Sequence, residues 1–285
     1  MEFLNHPETD RIIRQALQED VGPGDYTSLA TVPEGLSQRA KCIFKDEGMF
    51  AGIELAEKIF SIVDANLIFT PVVSDGTPMK YGDIAFYVEG DPRSILTAER
   101  LVLNLCQRMS AIATMTNQVV RELEGTNCRV LDTRKTTPLI RHIEKWAVAI
   151  GGGTNHRFGL FDMIMIKDNH IDYAGGIPEA IRACKAYLQK HGLNIPIEVE
   201  TRDLQEVKQV LAEGGIKRIM LDNMSLPMME EAVEMIGNQA ETEASGGITL
   251  ETVKAIAKTG VDFVSMGALT HSVKSMDISL KADLD

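Results

Sequence analysis

Ile197-Glu198-Val199-Glu200, Arg218-Ile219-Met220-Leu221-Asp222-Asn223, Glu243-Ala244-Ser245-Gly246-Gly247 and Phe263-Val264-Ser265-Met266-Gly267-Ala268 decide the fold. Each is a short apolar run that closes on polar or small residues. Their ends, at Glu200, Asp222, Ser245 and Gly267, are 22, 23 and 22 residues apart, with helical patterns at 203–212, 227–236 and 250–258 between them. A strand–helix unit of constant length repeated in series predicts a parallel sheet closing toward a barrel, and active sites sit where barrel strands end. Upstream, further apolar runs end at Asp132 and Lys167, with a helical pattern at 178–191. The six ends bring Asp132-Thr133-Arg134-Lys135, Lys167-Asp168-Asn169, Glu200, Asp222-Asn223, Ser245-Gly246-Gly247 and Gly267-Ala268 toward one mouth. An isolated Asp or Ser after a strand is better read as a helix cap; six in register are not.

Before the barrel the texture differs. Pro7-Glu8-Thr9-Asp10 starts a helix that Gly22-Pro23-Gly24-Asp25 ends, and residues 26–89 alternate short β-like runs (39–44, 67–73, 84–88) with turn formers and one helix at 53–63. This predicts a small α+β domain over residues 1–110. Asp91-Pro92-Arg93-Ser94 then opens a long helix toward Leu123, and the barrel segment is placed at 111–269.

Composition sets the limits. The 285 residues are 44% apolar and 25% charged, with net charge -12, which argues against nucleic acid or anionic membrane as the main partner. Cys42, Cys106, Cys128 and Cys184 form no C-x-x-C pair and have no His at metal spacing, so they read as reduced thiols of a cytoplasmic protein. The first residues show no export signal, and no run approaches membrane-spanning length.

The acidic chain nevertheless holds a basic island. From Arg134 to Lys167 six cations (Arg134, Lys135, Arg141, Lys145, Arg157, Lys167) face two anions (Glu144, Asp162). So compact a patch suits a small anion. A solvated charged surface is the bland alternative, but the neighbouring Gly151-Gly152-Gly153 and the apolar 163–166 run bring backbone and strand up to the charges. Ser245-Gly246-Gly247 and Gly267-Ala268 predict a phosphate seat of backbone N–H groups. Glu200 and Asp222, on neighbouring strand ends without His or Cys, suit Mg²⁺ and ribose hydroxyls better than zinc.

Asp132-Thr133-Arg134-Lys135-Thr136-Thr137-Pro138, Glu144-Lys145-Trp146-Ala147-Val148, Gly151-Gly152-Gly153 with Asn155-His156-Arg157, and Ile166-Lys167-Asp168-Asn169-His170 closely resemble the quinolinate phosphoribosyltransferase family. The likeness extends through Glu198-Val199-Glu200, Met220-Leu221-Asp222-Asn223, Glu243-Ala244-Ser245-Gly246-Gly247-Ile248 and Gly267-Ala268-Leu269-Thr270-His271-Ser272, and covers Gly24-Asp25 and Glu99-Arg100. One position departs: after Pro138 the family usually has Gly, and this chain has Leu139. The resemblance implies an N-terminal α+β sandwich completed by residues 270–285 and packed on an open TIM-like α/β barrel. It implies a homodimer, open to further assembly, with Arg100 supplied in trans.

The implied reaction joins quinolinate to 5-phosphoribosyl 1-pyrophosphate with Mg²⁺, giving nicotinate mononucleotide, CO₂ and pyrophosphate. Lys135, Lys167, Glu200 and Asp222 are its expected catalytic residues. Arg100, Thr133, Arg134, Lys135, His156, Arg157 and Lys167 are expected to hold substrate, together with Glu200, Asp222, Ser245, Gly246, Gly247, Met266, Gly267 and Ala268. Glu200 and Asp222 would hold the metal, partly through substrate and water. Three rivals differ in what they require. A Schiff-base aldolase needs a lysine of depressed pKa, a pyrophosphorylase for another base needs a different clamp, and an inactive phosphate-sensing scaffold would lack charges at the strand ends.

Overall fold

The computed structural model describes residues 3–283, and the chain divides into two compact units. Unit 1 comprises residues 1–117, 136–152 and 269–285; unit 2 comprises 118–135 and 153–268.

In chain order the first elements are α1 (Pro7–Val21), α2 (Tyr26–Thr31), β1 (Gln38–Phe44), β2 (Gly48–Met49), α3 (Ile53–Val63), β3 (Ile68–Pro71), β4 (Pro78–Met79), β5 (Ile84–Gly90) and α4 (Pro92–Glu122). There follow β6 (Arg129–Leu131), α5 (Arg141–Ile150), β7 (Ile164–Ile166), α6 (Asp168–Ala174), α7 (Ile177–His191), β8 (Ile197–Thr201), α8 (Leu204–Glu213), β9 (Arg218–Asp222), α9 (Leu226–Ile236) and β10 (Glu241–Ser245). The last are α10 (Val253–Ala257), β11 (Phe263–Ser265), α11 (Ala268–His271) and β12 (Ile278–Asp283).

Unit 1 is built on a four-stranded sheet in the order β12-β1-β5-β3, its neighbours antiparallel. Phe44, Phe50, Phe60 and Phe86 are buried there, with Phe60 and Phe86 meeting edge to face at 6.1 Å. The segment 136–152, which the sequence places within the barrel, clusters instead with unit 1. Its anchor is Glu144, fully buried, whose Oε1 accepts from Arg108 Nη2 at 2.8 Å and whose Oε2 accepts from the Thr137 N–H at 3.0 Å. Trp146 of the same helix stacks on Phe3 at 6.0 Å, and Arg108 also donates to the carbonyls of Thr270 and Val273. Periodicity does not reveal α5, because Arg141, Glu144 and Lys145 read as surface charge while Glu144 and Lys145 are buried.

The loop before α5 turns at Leu139, 75% exposed with φ 70°. A left-handed turn is required where the family has glycine, and the leucine adopts it at a cost of roughly 1–2 kcal/mol. The leucine thus holds a backbone angle that glycine adopts without strain.

Unit 2 is a six-stranded sheet in the order β7-β8-β9-β10-β11-β6, every neighbouring pair parallel. A single parallel bridge, Leu131 with Thr154, extends it beyond β6. No ladder joins β6 to β7 among the described residues, so the TIM-like barrel is open. Alternation along the strands sorts the side chains: Val199, Ile219, Leu221 and Ala244 are fully buried on one side, while Glu198, Glu200, Asp222, Glu243 and Ser245 share the other.

Candidate active site

All six strand ends lie within unit 2. Lys167, at the N-cap of α6, donates from Nζ to Glu200 Oε2 at 2.9 Å, and its own N–H donates to His170 Nδ1 at 3.0 Å, so His170 shapes the turn. Asp222 is held at both oxygens: Ser245 Oγ donates to Oδ1 at 2.6 Å and Asn223 Nδ2 to Oδ2 at 2.8 Å. Glu200 and Asp222 thus each have their own protein partners.

After β10, Gly246 and Gly247 have φ 95° and 60°, conformations that aim successive backbone groups as side-chain-bearing residues rarely can. The helices that follow β10 and β11 have only five and four residues, so a phosphate there would be met by loop amides rather than by a long helix end. Met266 is buried, its N–H donating to Leu131 O at 3.0 Å, so it belongs to the sheet, and Gly267 and Ala268 are the half-exposed residues of that end.

After β6, the buried Asp132 organises its neighbours: Oδ1 accepts from the His156 N–H at 2.8 Å and Oδ2 from Asn155 Nδ2 at 2.7 Å. Thr133 Oγ1 accepts from the Lys135 N–H at 3.0 Å, a local turn that leaves Arg134 and Lys135 exposed. Arg157 donates to Met163 O at 3.0 Å. Burial and the neighbouring Arg134 charge together lower the Arg157 pKa below its usual value. Two guanidiniums are thus held close enough to repel. Asp162, an anion of the island, spends its oxygens on the N–H groups of Phe158 and Gly159. Arg141 and Lys145 belong to unit 1, where Arg141 donates to Thr136 Oγ1 at 2.9 Å. Arg100 is also in unit 1, exposed on α4.

His156 is placed differently from the expectation of a substrate clamp. It is 8% exposed, with Nε2 at 3.1 Å from Glu198 and 3.2 Å from Glu243, and Nδ1 accepts from the Arg157 N–H at 2.6 Å. Both ring nitrogens are engaged inside the barrel. Arg218 completes the group, with Nη1 at 3.0 Å from Glu243 and 3.9 Å from Glu198.

Burial alone would depress His156, but the hydrogen bonds and charges of Glu198 and Glu243 push it up to about 9. Burial and Glu243 raise Glu198; Glu243 is lowered because His156 and Arg218 outweigh its burial. Arg218 also donates to Glu241 at 3.0 Å, whose charge Lys217 balances at 2.7 Å, so with Arg218 charged the buried group is neutral when it holds one proton beyond a neutral imidazole. Sequence reasoning missed Glu198, Glu243 and Arg218. The available signal was acidic residues alternating with apolar ones inside strands otherwise read as core. Donor types and spacing would admit a metal among His156, Glu198 and Glu243, but Arg218 already supplies the positive charge.

Family profiles described as quinolinate phosphoribosyl transferase, N-terminal domain and C-terminal domain, match residues 25–110 and 112–281. The chain is 50% identical to the chloroplastic nicotinate-nucleotide pyrophosphorylase [carboxylating] of Oryza sativa subsp. japonica, over 98% of this chain and 80% of the rice protein. It is 42% identical to a probable nicotinate-nucleotide pyrophosphorylase [carboxylating] of Bacillus subtilis, over 99% and 96%. The crystal structure of NadC from Streptococcus pyogenes superposes with TM-score 0.91 at 39% identity, covering 96% of this chain and 95% of that one.

Proposed function

Because the chain belongs to the quinolinate phosphoribosyltransferase family, and so transfers the phosphoribosyl group of 5-phosphoribosyl 1-pyrophosphate to quinolinate with loss of CO₂, giving nicotinate mononucleotide and pyrophosphate for NAD synthesis, we propose that the strand ends of unit 2 carry that reaction. The observation that supports this placement is the half-buried Arg157, held by Met163 O at 3.0 Å and repelled by the charge of Arg134, with the exposed Lys135 next to Arg134 in the chain. Such a cluster is stabilised by a compact polyanion, and quinolinate brings two carboxylates.

In this reading Arg134, Lys135 and Arg157 hold the carboxylates and aim the ring nitrogen at C1 of the ribose. Thr133 shapes the turn that presents them. His156 acts through the Arg157 backbone rather than by touching substrate. As the C1–O bond breaks, C1 becomes electron-poor and pyrophosphate gathers negative charge, which Lys167 at the mouth neutralises. The loop amides of Ser245, Gly246, Gly247, Gly267 and Ala268 hold the 5-phosphate, while Glu200 and Asp222 take the ribose hydroxyls. Once the nitrogen is bonded to C1 the ring is cationic. The C–C bond to the 2-carboxylate then breaks, its electron pair stays on C2 beside N⁺, and a proton from water replaces CO₂. This chemistry needs orientation and positive charge more than a strong base.

Glu200 and Asp222 fit Mg²⁺: they offer only oxygen, and two carboxylates leave its remaining positions to substrate and water, as that ion prefers. When bound, the ion supplies further positive charge for the leaving pyrophosphate. Arg100, exposed on α4, is assigned to the partner's site in a homodimer. Among the described residues no helix is long and apolar enough to cross a membrane. The cytosol is our placement, supported by the free thiols of Cys42, Cys106, Cys128 and Cys184.

Incubation with quinolinate, 5-phosphoribosyl 1-pyrophosphate and Mg²⁺ should release CO₂ and the mononucleotide, whereas nicotinic acid in place of quinolinate should give almost nothing. Turnover of nicotinic acid at a comparable rate would overturn the clamp. Lys135→Ala or Arg157→Ala should each cost roughly 2–5 kcal/mol of transition-state binding with the fold intact.

A further inference from the structure

Asn223 entered above only as a hydrogen-bond donor to Asp222, with no role in the reaction. It is one of two non-glycine residues at positive φ among the described residues, at 53°. A residue with a side chain is held in that region only where its surroundings compensate, and such residues gather at functional sites. Here the compensation is visible. The Asn223 N–H donates to Ser245 O at 2.9 Å, and its Nδ2 donates to Asp222 Oδ2 at 2.8 Å. Its carboxamide fills the space beside Gly246, where an added Cβ would stand 2.1 Å from Oδ1. Gly246 therefore lacks a side chain for two reasons, its own φ of 95° and the space Asn223 occupies.

The result is an interlock across the ends of β9 and β10. The terminal torsion of an aspartate is broad and two-fold, so a carboxylate held at one oxygen still swings. With Ser245 Oγ on Oδ1 at 2.6 Å and Asn223 Nδ2 on Oδ2, the plane of Asp222 is set from both sides. A carboxylate accepts about four hydrogen bonds, so about one site per oxygen remains. We propose that Asn223 is a positioning residue for Asp222, fixing the carboxylate plane so that the remaining site on each oxygen meets the ribose of 5-phosphoribosyl 1-pyrophosphate or its hydrated cation. This rests on the reading of Asp222 as a substrate-binding carboxylate.

Asn223→Gly removes the carboxamide yet accepts φ 53° without strain, so it separates orientation from backbone shape. Binding of 5-phosphoribosyl 1-pyrophosphate with Mg²⁺ is measured by calorimetry without quinolinate, alongside kcat, KM and urea melting. Losing one hydrogen bond to a charged group predicts about tenfold weaker binding and a matching rise in KM, with kcat within about threefold and the fold intact. Asn223→Asp, which sets a second carboxylate against the first, should weaken binding further. Unchanged binding and KM in Asn223→Gly, with or without a lower urea midpoint, overturns the proposal. Asp222→Asn is the control: if it binds like the unaltered protein, the reading of Asp222 falls and the proposal with it. If it loses binding while Asn223→Gly does not, only the role of Asn223 falls.

Discussion

Raising the pH from about 6.5 to about 9.5 should destabilise this protein through the buried group of His156, Glu198, Glu243 and Arg218. Unfolded, the imidazole titrates near 6.5 and the carboxylates near 4.5, so at pH 8 none of them binds the extra proton. Folded, the group retains it up to about 9. The native state then binds more protons than the unfolded state between these values. Stability is fully present below 6.5 and is lost as pH rises through about 9. Over roughly 2.5 pH units, at ~1.4 kcal/mol per unit, the loss approaches about 3 kcal/mol. Glu243→Gln provides the control. It removes one buried negative charge, so Glu198 and Arg218 balance without the extra proton, and the dependence should flatten. Urea melts of both proteins at half-unit pH steps measure the difference. Parallel curves through this window would refute the charge count, as would a flat curve for the unaltered protein.

Leu139→Gly should raise stability by about 0.5–1 kcal/mol, since relief of a left-handed leucine exceeds the added freedom of glycine in the unfolded chain; a lower urea midpoint would contradict the φ of 70°. Glu144→Gln leaves Arg108 without its charged partner and should cost about 3 kcal/mol, and a loss below ~1 kcal/mol would show that the pair contributes little. If Arg100 acts in trans, reassociating Arg100→Ala with Lys167→Ala subunits should restore about a quarter of full activity, because about half the dimers are mixed and each has one complete site. Action in cis predicts a mixture as inactive as its parents.

Much of the barrel was legible because its strands end in chemistry at a near-constant spacing, and the four runs appear as β8 to β11, ending at Thr201, Asp222, Ser245 and Ser265. Lys167, Glu200, Asp222 and the glycines after β10 stand at strand ends for the same reason. What the sequence hid was pairing at a distance. Glu144 reads as a surface charge until Arg108, 36 residues earlier, is placed beside it. His156 reads as a clamp until Glu198 and Glu243 are seen on either side of its Nε2. Asn223 read only as one more polar residue of a strand end, since nothing in a string of letters shows that Gly246 makes room for it. Leu139 is the reverse case: the departure was plain, and only the backbone angle showed that the leucine sits in a left-handed turn.

The pairing of β1 with β12, Arg39 opposite Asp283 and Phe44 opposite Ile278, carries a consequence for how the protein is made. While the ribosome is still at work, β1 waits for more than two hundred residues with the edge that β12 will pair left open, β5 covering only the other edge. The nascent chain thus exposes a strand edge of the kind that recruits foreign strands for as long as the residues between β1 and β12 are being made. Chaperone demand should therefore fall on the sheet of unit 1 while β12 is still to be made. Premature termination before Ile278 should yield aggregates rather than a shortened but soluble protein.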